Sequence, residues 1–239
     1  MQTHLPVSSE SNNVNAYIRN EGSFYNEEME RRELKDENIN YSKIASIVKD
    51  YTRKGVKRDI DKMMENGEML YIKDENVYVI LEPQGSWISL DGKFVKELVR
   101  TLNSRTNSIY YWLYRRWHQR KREGKPCYFT LGDICNFLNI SDQNKNRHEV
   151  DKCLAHLVAV GLIQYQIVRE GKTYLRKLTY IGTKMRVIDA VANVNKVIEK
   201  GADGDSDKVK EEESLITIGY GDETKAVNAL SQALLRDFN

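Results

Sequence analysis

The chain of 239 residues has only three cysteines, Cys127, Cys135 and Cys153, and no two of them form a CxxC pair. An odd, unspaced set excludes a disulfide framework or a Cys-based zinc site, and predicts buried thiols in a reducing cytoplasm. No apolar run approaches the roughly 18–20 residues that a membrane-spanning helix needs, so no membrane partner is expected. Residues 1–6 lack the charged-then-apolar layout of a secretion leader. Histidines number four. Of these, His148 and His156 stand eight positions apart, too far for a ligand pair on adjacent helical turns. No P-loop, GxGxxG, HExxH, GxSxG or HUH signature occurs. The acidic stretch 201–213 lacks the spacing and the distal Glu of an EF-hand. The expectation is a protein that is not an enzyme, with no catalytic residue, no metal and no cofactor.

What the chain does have is unevenly placed charge. The net charge is +2, yet residues 105–186 hold 16 Lys and Arg against 6 Asp and Glu, or +10. Residues 1–40 carry −4 and residues 187–239 carry −5. A basic segment between acidic flanks is the signature of a polyanion-binding module.

That basic segment also has the clearest pattern. Thr130 is placed to cap a helix whose Leu131, Ile134, Cys135 and Leu138 keep the i, i+3, i+4, i+7 spacing of a buried face. The polar run Ser141–Asn146 breaks it. A second helix then sets Val150, Cys153, Leu154, Leu157 and Val158 on one face and stops near Gly161. Two β-rich runs follow, Leu162–Val168 and Thr173–Ile181, joined by Arg169-Glu170-Gly171-Lys172. Helix, turn, helix and hairpin is the order of a winged helix. The fold class expected is therefore α+β, mostly helical, a winged helix-turn-helix with C-terminal helices and an open question of a tandem copy.

The copy is suggested upstream. Val56, Ile60, Met63, Met64 and Gly67 share the mutual offsets of Val150, Leu154, Leu157, Val158 and Gly161, and each set precedes a hairpin. In chain order, residues 1–39 read as a mobile arm and a charged helix (Tyr25–Asp36), and 40–82 as a first winged-helix-like unit. Residues 87–182 read as the main winged-helix domain, entered past Pro83-Gln84-Gly85-Ser86. Within it, the aromatic and cationic run Ser108–Lys121 predicts a buried helix with a charged end. Residues 183–200 read as a packing or dimerisation helix, because Val187, Val191, Val194 and Ile198 recur in steps of four and three. Residues 201–213 read as an acidic linker and 214–239 as a strand and an amphipathic helix for a protein partner.

At about 100° per residue, the helix over 144–159 turns Lys145, His148, Lys152, Ala155, His156 and Ala159 outward, with Asn144, Asn146 and Arg147 in its first turn. In a helix-turn-helix this face enters the major groove, where Asn pairs with adenine and Arg or Lys with guanine or phosphate. The hairpin adds Arg169, Lys172, Tyr174, Arg176 and Lys177 as candidate phosphate or minor-groove contacts. The upstream candidates are Arg53, Lys54, Lys57 and Arg58, beside an acidic hairpin tip, Asp74-Glu75, expected to repel phosphate.

The stretches FTLGDICNFLNIS, CLAHLVAVGLIQY and EGKTYLRKLTYI resemble the winged-helix proteins of bacterial phages and plasmids. That resemblance covers about residues 87–182. It implies replication initiators, replisome organisers or repressor-like regulators, and a double-stranded DNA partner. Three functions are carried forward: a sequence-specific regulator, an origin-binding initiator gripping DNA with two winged helices, and a protein-interaction module using the fold as a scaffold.

Overall fold

The computed structural model describes residues 2–8, 12–170 and 173–185, together with the backbone of Ile198–Glu199. It is α+β, with seven α-helices and antiparallel sheets among the described residues. None of those helices is long and apolar enough to cross a membrane. Packing divides the chain into two units, residues 1–127 with 131–157, and residues 128–130 with 158 onward. These units do not follow the boundary at 83–86 read from the sequence.

The first unit corrects the reading of its N-terminus. The expected mobile arm begins with strand β1 (Gln2–Pro6), which alternates outward with buried Thr3 and Leu5. Helix α1 (Asn13–Tyr17), capped by Asn12, is buried along its whole length and continues as a π-helical turn, Ile18–Gly22. Its asparagines looked like solvent-facing residues because they are polar. They are buried because each amide finds partners. Asn13 Nδ2 donates to Leu102 O at 2.7 Å and Asn107 Nδ2 donates to Asn13 Oδ1 at 2.7 Å. Asn15 Nδ2 donates to Glu68 at 2.6 Å, while Arg19 bonds Asn15, the Leu81 carbonyl and Glu68. A buried polar group costs little once its hydrogen bonds are met.

The expected charged helix over Tyr25–Asp36 is instead a hairpin, β2 (Phe24–Asn26) and β3 (Arg31–Lys35). Its charges favoured a solvated helix on composition. The chain uses them differently: Glu33 is buried against Arg31 and Asn26, and Leu34 enters the core.

The two helices and the hairpin read over 40–82 are present. Helix α2 (Tyr41–Ile47) is capped by Asn40 and α3 (Arg53–Glu65) by Thr52, each side chain accepting from a backbone N–H in the first turn. Strands β4 (Met69–Ile72) and β5 (Val77–Ile80) pair, and β5 also pairs with β3. The sheet order is β2-β3-β5-β4. Ile44, Val48, Val56, Ile60, Met63 and Met69 form the core with Val14, Ile18, Leu34 and Ile80. Gly67 sits at φ +67° after α3, where a side chain would be strained.

Strand β6 (Trp87–Asp91) pairs with β1 rather than opening a separate domain. Asp91 caps α4 (Gly92–Thr101) and Asn103 caps α5 (Ser104–Arg122). As expected, α5 buries Ile109, Tyr110, Tyr111 and Leu113 and ends in Arg120-Lys121-Arg122. Next come β7 (Cys127–Phe129), α6 (Leu131–Phe137) and α7 (Asn144–Ala159). The expected core residues Ile134, Cys135, Val150, Cys153, Leu154 and Leu157 are buried.

The second unit is built on the long hairpin β8 (Ile163–Glu170) and β9 (Thr173–Ile181), with a register irregularity between Gln164 and Tyr165. Strand β9 carries β7 on its other edge. Residues 183–185 are not helical, and Ile198–Glu199 is a short strand parallel to Val168–Arg169. The packing helix expected over 183–200 therefore has neither its first turn nor its end in helical form. Val187, Val191 and Val194, the linker 201–213 and the segment 214–239 with its C-terminal helix lie outside the described residues.

One order of elements thus occurs twice: helix, strand, helix, helix, hairpin. It runs α1, β3, α2, α3, β4–β5, with β2 added between α1 and β3, then α5, β7, α6, α7, β8–β9. In both, the strand before the helix pair, β3 or β7, pairs with the last strand of the hairpin.

Candidate nucleic-acid interface

The turn between α6 and α7 is fastened by residues that the sequence offered as base readers. Asn139, at φ +54°, ends α6, and Ile140 N donates back to the Cys135 carbonyl. Arg147 Nε and Nη2 then grip the two carboxylate oxygens of Asp142, each at 2.6 Å. This bidentate pair holds the Asp142 carboxyl below the usual carboxylate range and pushes the Arg147 guanidinium up. Asn146 Nδ2 donates to the Ser141 carbonyl at 2.8 Å and to its hydroxyl at 3.0 Å. Asn146 and Arg147 are therefore struts of the turn. Lys152 is largely covered and pairs with Glu149 at 3.0 Å.

The outward face of α7 that remains is Asn144, Lys145 and His148 at the N-terminal end, with Ala155 and His156 further along, all exposed. Ala159, expected outside, is partly covered. Two small alanine positions are no barrier to close approach, but only Ala155 stands open.

On the hairpin the sequence reading needs correction at Arg176. Arg176 and Lys177 are neighbours on one strand, so they face opposite sides of it. Arg176 faces inward with Leu178, is only 9 % exposed, and holds its guanidinium 5.8 Å from the Tyr165 ring. It is packing, not tip. Lys177 is half-buried opposite Gln166. Arg169 and Tyr174 are cross-strand partners beside the tip, exposed, with the guanidinium 5.9 Å from the ring. Lys172 lies outside the described residues.

In the first repeat, Arg53, Lys54, Lys57 and Arg58 are all exposed on the first turns of α3. Arg58 pairs with Asp59 at 3.0 Å. Asp59 also accepts from the Tyr51 hydroxyl at 2.7 Å, which in turn meets Ser104 Oγ at 2.9 Å. Burial pushes the Tyr51 phenol well up, so it stays a neutral donor. The acidic hairpin tip is partly neutralised: Glu75 pairs with Arg31, which also holds Glu33.

The thiols behave as small core groups. Cys127, Cys135 and Cys153 are buried and unbridged, and burial pushes each thiol up. Arg105 and Lys62 were missed by the sequence reading. They stand forty-three positions apart and acquire meaning only where α3 and α5 line the same groove.

No protein-family model, no curated protein and no solved structure matches this chain.

Proposed function

We propose that the protein binds double-stranded DNA in a sequence-specific manner, with α6–α7 as its helix-turn-helix and β8–β9 as the wing of a winged helix. The observation that supports this is the outer face of α7. Its N-terminal turns present Asn144, Lys145 and His148 to solvent on a helix whose preceding turn is locked by the Arg147–Asp142 pair. A recognition helix needs this combination, a rigid entry and free polar side chains at its leading end. The +10 charge of residues 105–186 supplies the electrostatic attraction. Arg169 and Tyr174 on the hairpin offer a cation and an aromatic plane to the backbone.

The role that fits best is a transcriptional regulator of mobile-element type. The twofold element order favours a second role, an origin-binding replication initiator, because it provides a second helix, α3, with an exposed cationic leading end. Selection of genomic fragments on the purified protein, followed by footprinting, tests both. A single site beside a promoter supports the regulator, and iterated sites support the initiator. Fragment binding that is unchanged by Lys145→Glu with His148→Glu overturns the reading of α7.

A further inference from the structure

Within the first unit, α3, the start of α5 and α7 line a polar groove of about 440 Å³ whose walls include Lys49, Thr52, Arg58, Arg105 and Glu149. A second groove of about 260 Å³ shares Arg58 and Arg105 and adds Lys62. The two therefore adjoin at the same pair of arginines. The acids that reach them are each engaged by a cation of their own: Asp50 by Lys49 at 3.7 Å, Asp59 by Arg58 at 3.0 Å and Glu149 by Lys152 at 3.0 Å. Arg105 and Lys62 are exposed and carry charge beyond those pairs. The adjoining face of α3 adds Arg53, Lys54 and Lys57.

Cations strung along two adjoining grooves, rather than converging on one point, suit an extended polyanion better than a small anion. The first turn of α3 carries Arg53 and Lys54 and no acid, so these two cations meet the positive end of the helix dipole without an acid beside them in that turn. A polyanion supplies the missing negative charge. The acidic tip that argued against DNA in this repeat is weakened as an obstacle by the Arg31–Glu75 pair.

We propose that this trough seats the sugar–phosphate backbone of duplex DNA, with Lys62 and Arg105 as phosphate contacts that make α3 and α7 parts of one continuous interface. The proposal rests on the DNA-binding reading of α7. It differs from that reading in its residues and in its consequence, since phosphate contacts add affinity and salt dependence but no sequence preference.

The test is a salt titration of duplex binding by the full chain, for the wild type, for Lys62→Gln with Arg105→Gln, and for Asn144→Ala with Lys145→Ala. Both trough residues are exposed, and an unchanged thermal midpoint establishes that the first variant folds. Each lost phosphate contact removes about 0.9 from the slope of log affinity against log salt, so the trough variant is expected to be shallower by about 2. Its preference among DNA sequences should stay as in the wild type, whereas the α7 variant loses that preference. A wild-type slope retained in the trough variant overturns the trough and leaves the α7 reading standing. A wild type that shows no salt-dependent affinity for duplex DNA overturns both.

Discussion

The two repeats run the same order of elements and differ in where their charges end up. On α7, Arg147 is tied to Asp142 and Lys152 to Glu149, so a helix that looks basic in sequence offers Lys145 as its leading free cation. On α3, Arg53, Lys54 and Lys57 stand exposed at the leading end. The hairpins reverse the order, with Arg169 and Tyr174 in the later one and Asp74 beside the Arg31–Glu75 pair in the earlier. A count of charges over a segment therefore overstates what α7 itself offers, because a cation locked in a short bidentate pair is worth less to a polyanion than an exposed one. The difference suggests a division of labour, with α7 suited to reading and α3 to holding.

The largest way to break the comparison is to remove the first repeat from it. Arg19, with its side chain 4 % exposed, joins Asn15, Glu68 and the Leu81 carbonyl. Arg19→Ala strands these partners in the interior and should cost about 3–5 kcal/mol of stability in urea unfolding. A loss under about 1 kcal/mol would show that the network is solvated. Next in size is Asn144→Ala on α7, which should reduce discrimination between specific and unrelated duplexes by about 1–3 kcal/mol in competition binding if Asn144 pairs with a base. Discrimination unchanged by that substitution would assign reading to another element.

A smaller effect comes from the turn before α7. Arg147 depresses the Asp142 pKa, so the pair stabilises the fold above the ordinary aspartate range and its contribution is lost as pH falls through the folded pKa. The wild type should therefore melt above Arg147→Gln at neutral pH, and the gap should begin to narrow below about pH 4 and close as pH falls through the depressed folded pKa. A gap that persists in acid means that Arg147 acts through packing instead. The smallest expected change sharpens the contrast between hairpins. Arg31→Gln frees Glu75 at the tip and should weaken duplex binding by about twofold at low salt and negligibly at high salt, where surface charges are screened. A loss that does not fade with salt would place Arg31 itself on the DNA.

Much of this architecture was legible because periodicity survives substitution. Val56, Ile60 and Met63, like Val150, Leu154 and Leu157, announce helix faces by spacing, and both hairpins follow from alternating runs bounded by turn residues. Residues 1–39 were misread for the converse reason. Asn13, Asn15, Arg19 and Glu33 are polar and buried, and only their partners up to 94 positions away explain it. The candidate site was half legible. Spacing put Lys145 and His148 outside correctly, but it could not foresee that Asp142 would take Arg147 or that Tyr165 would cover Arg176. Arg105 and Lys62 carried no local signal at all.

Footprinting on genomic fragments selected by the wild-type protein tests most directly whether α7 reads duplex DNA. A discrete protected segment is expected that disappears with Asn144→Ala and Lys145→Ala, while weaker, sequence-independent retention survives through the cations of α3. Protection that is unaltered by those two substitutions, or selection that enriches no sequence, would contradict that role of α7.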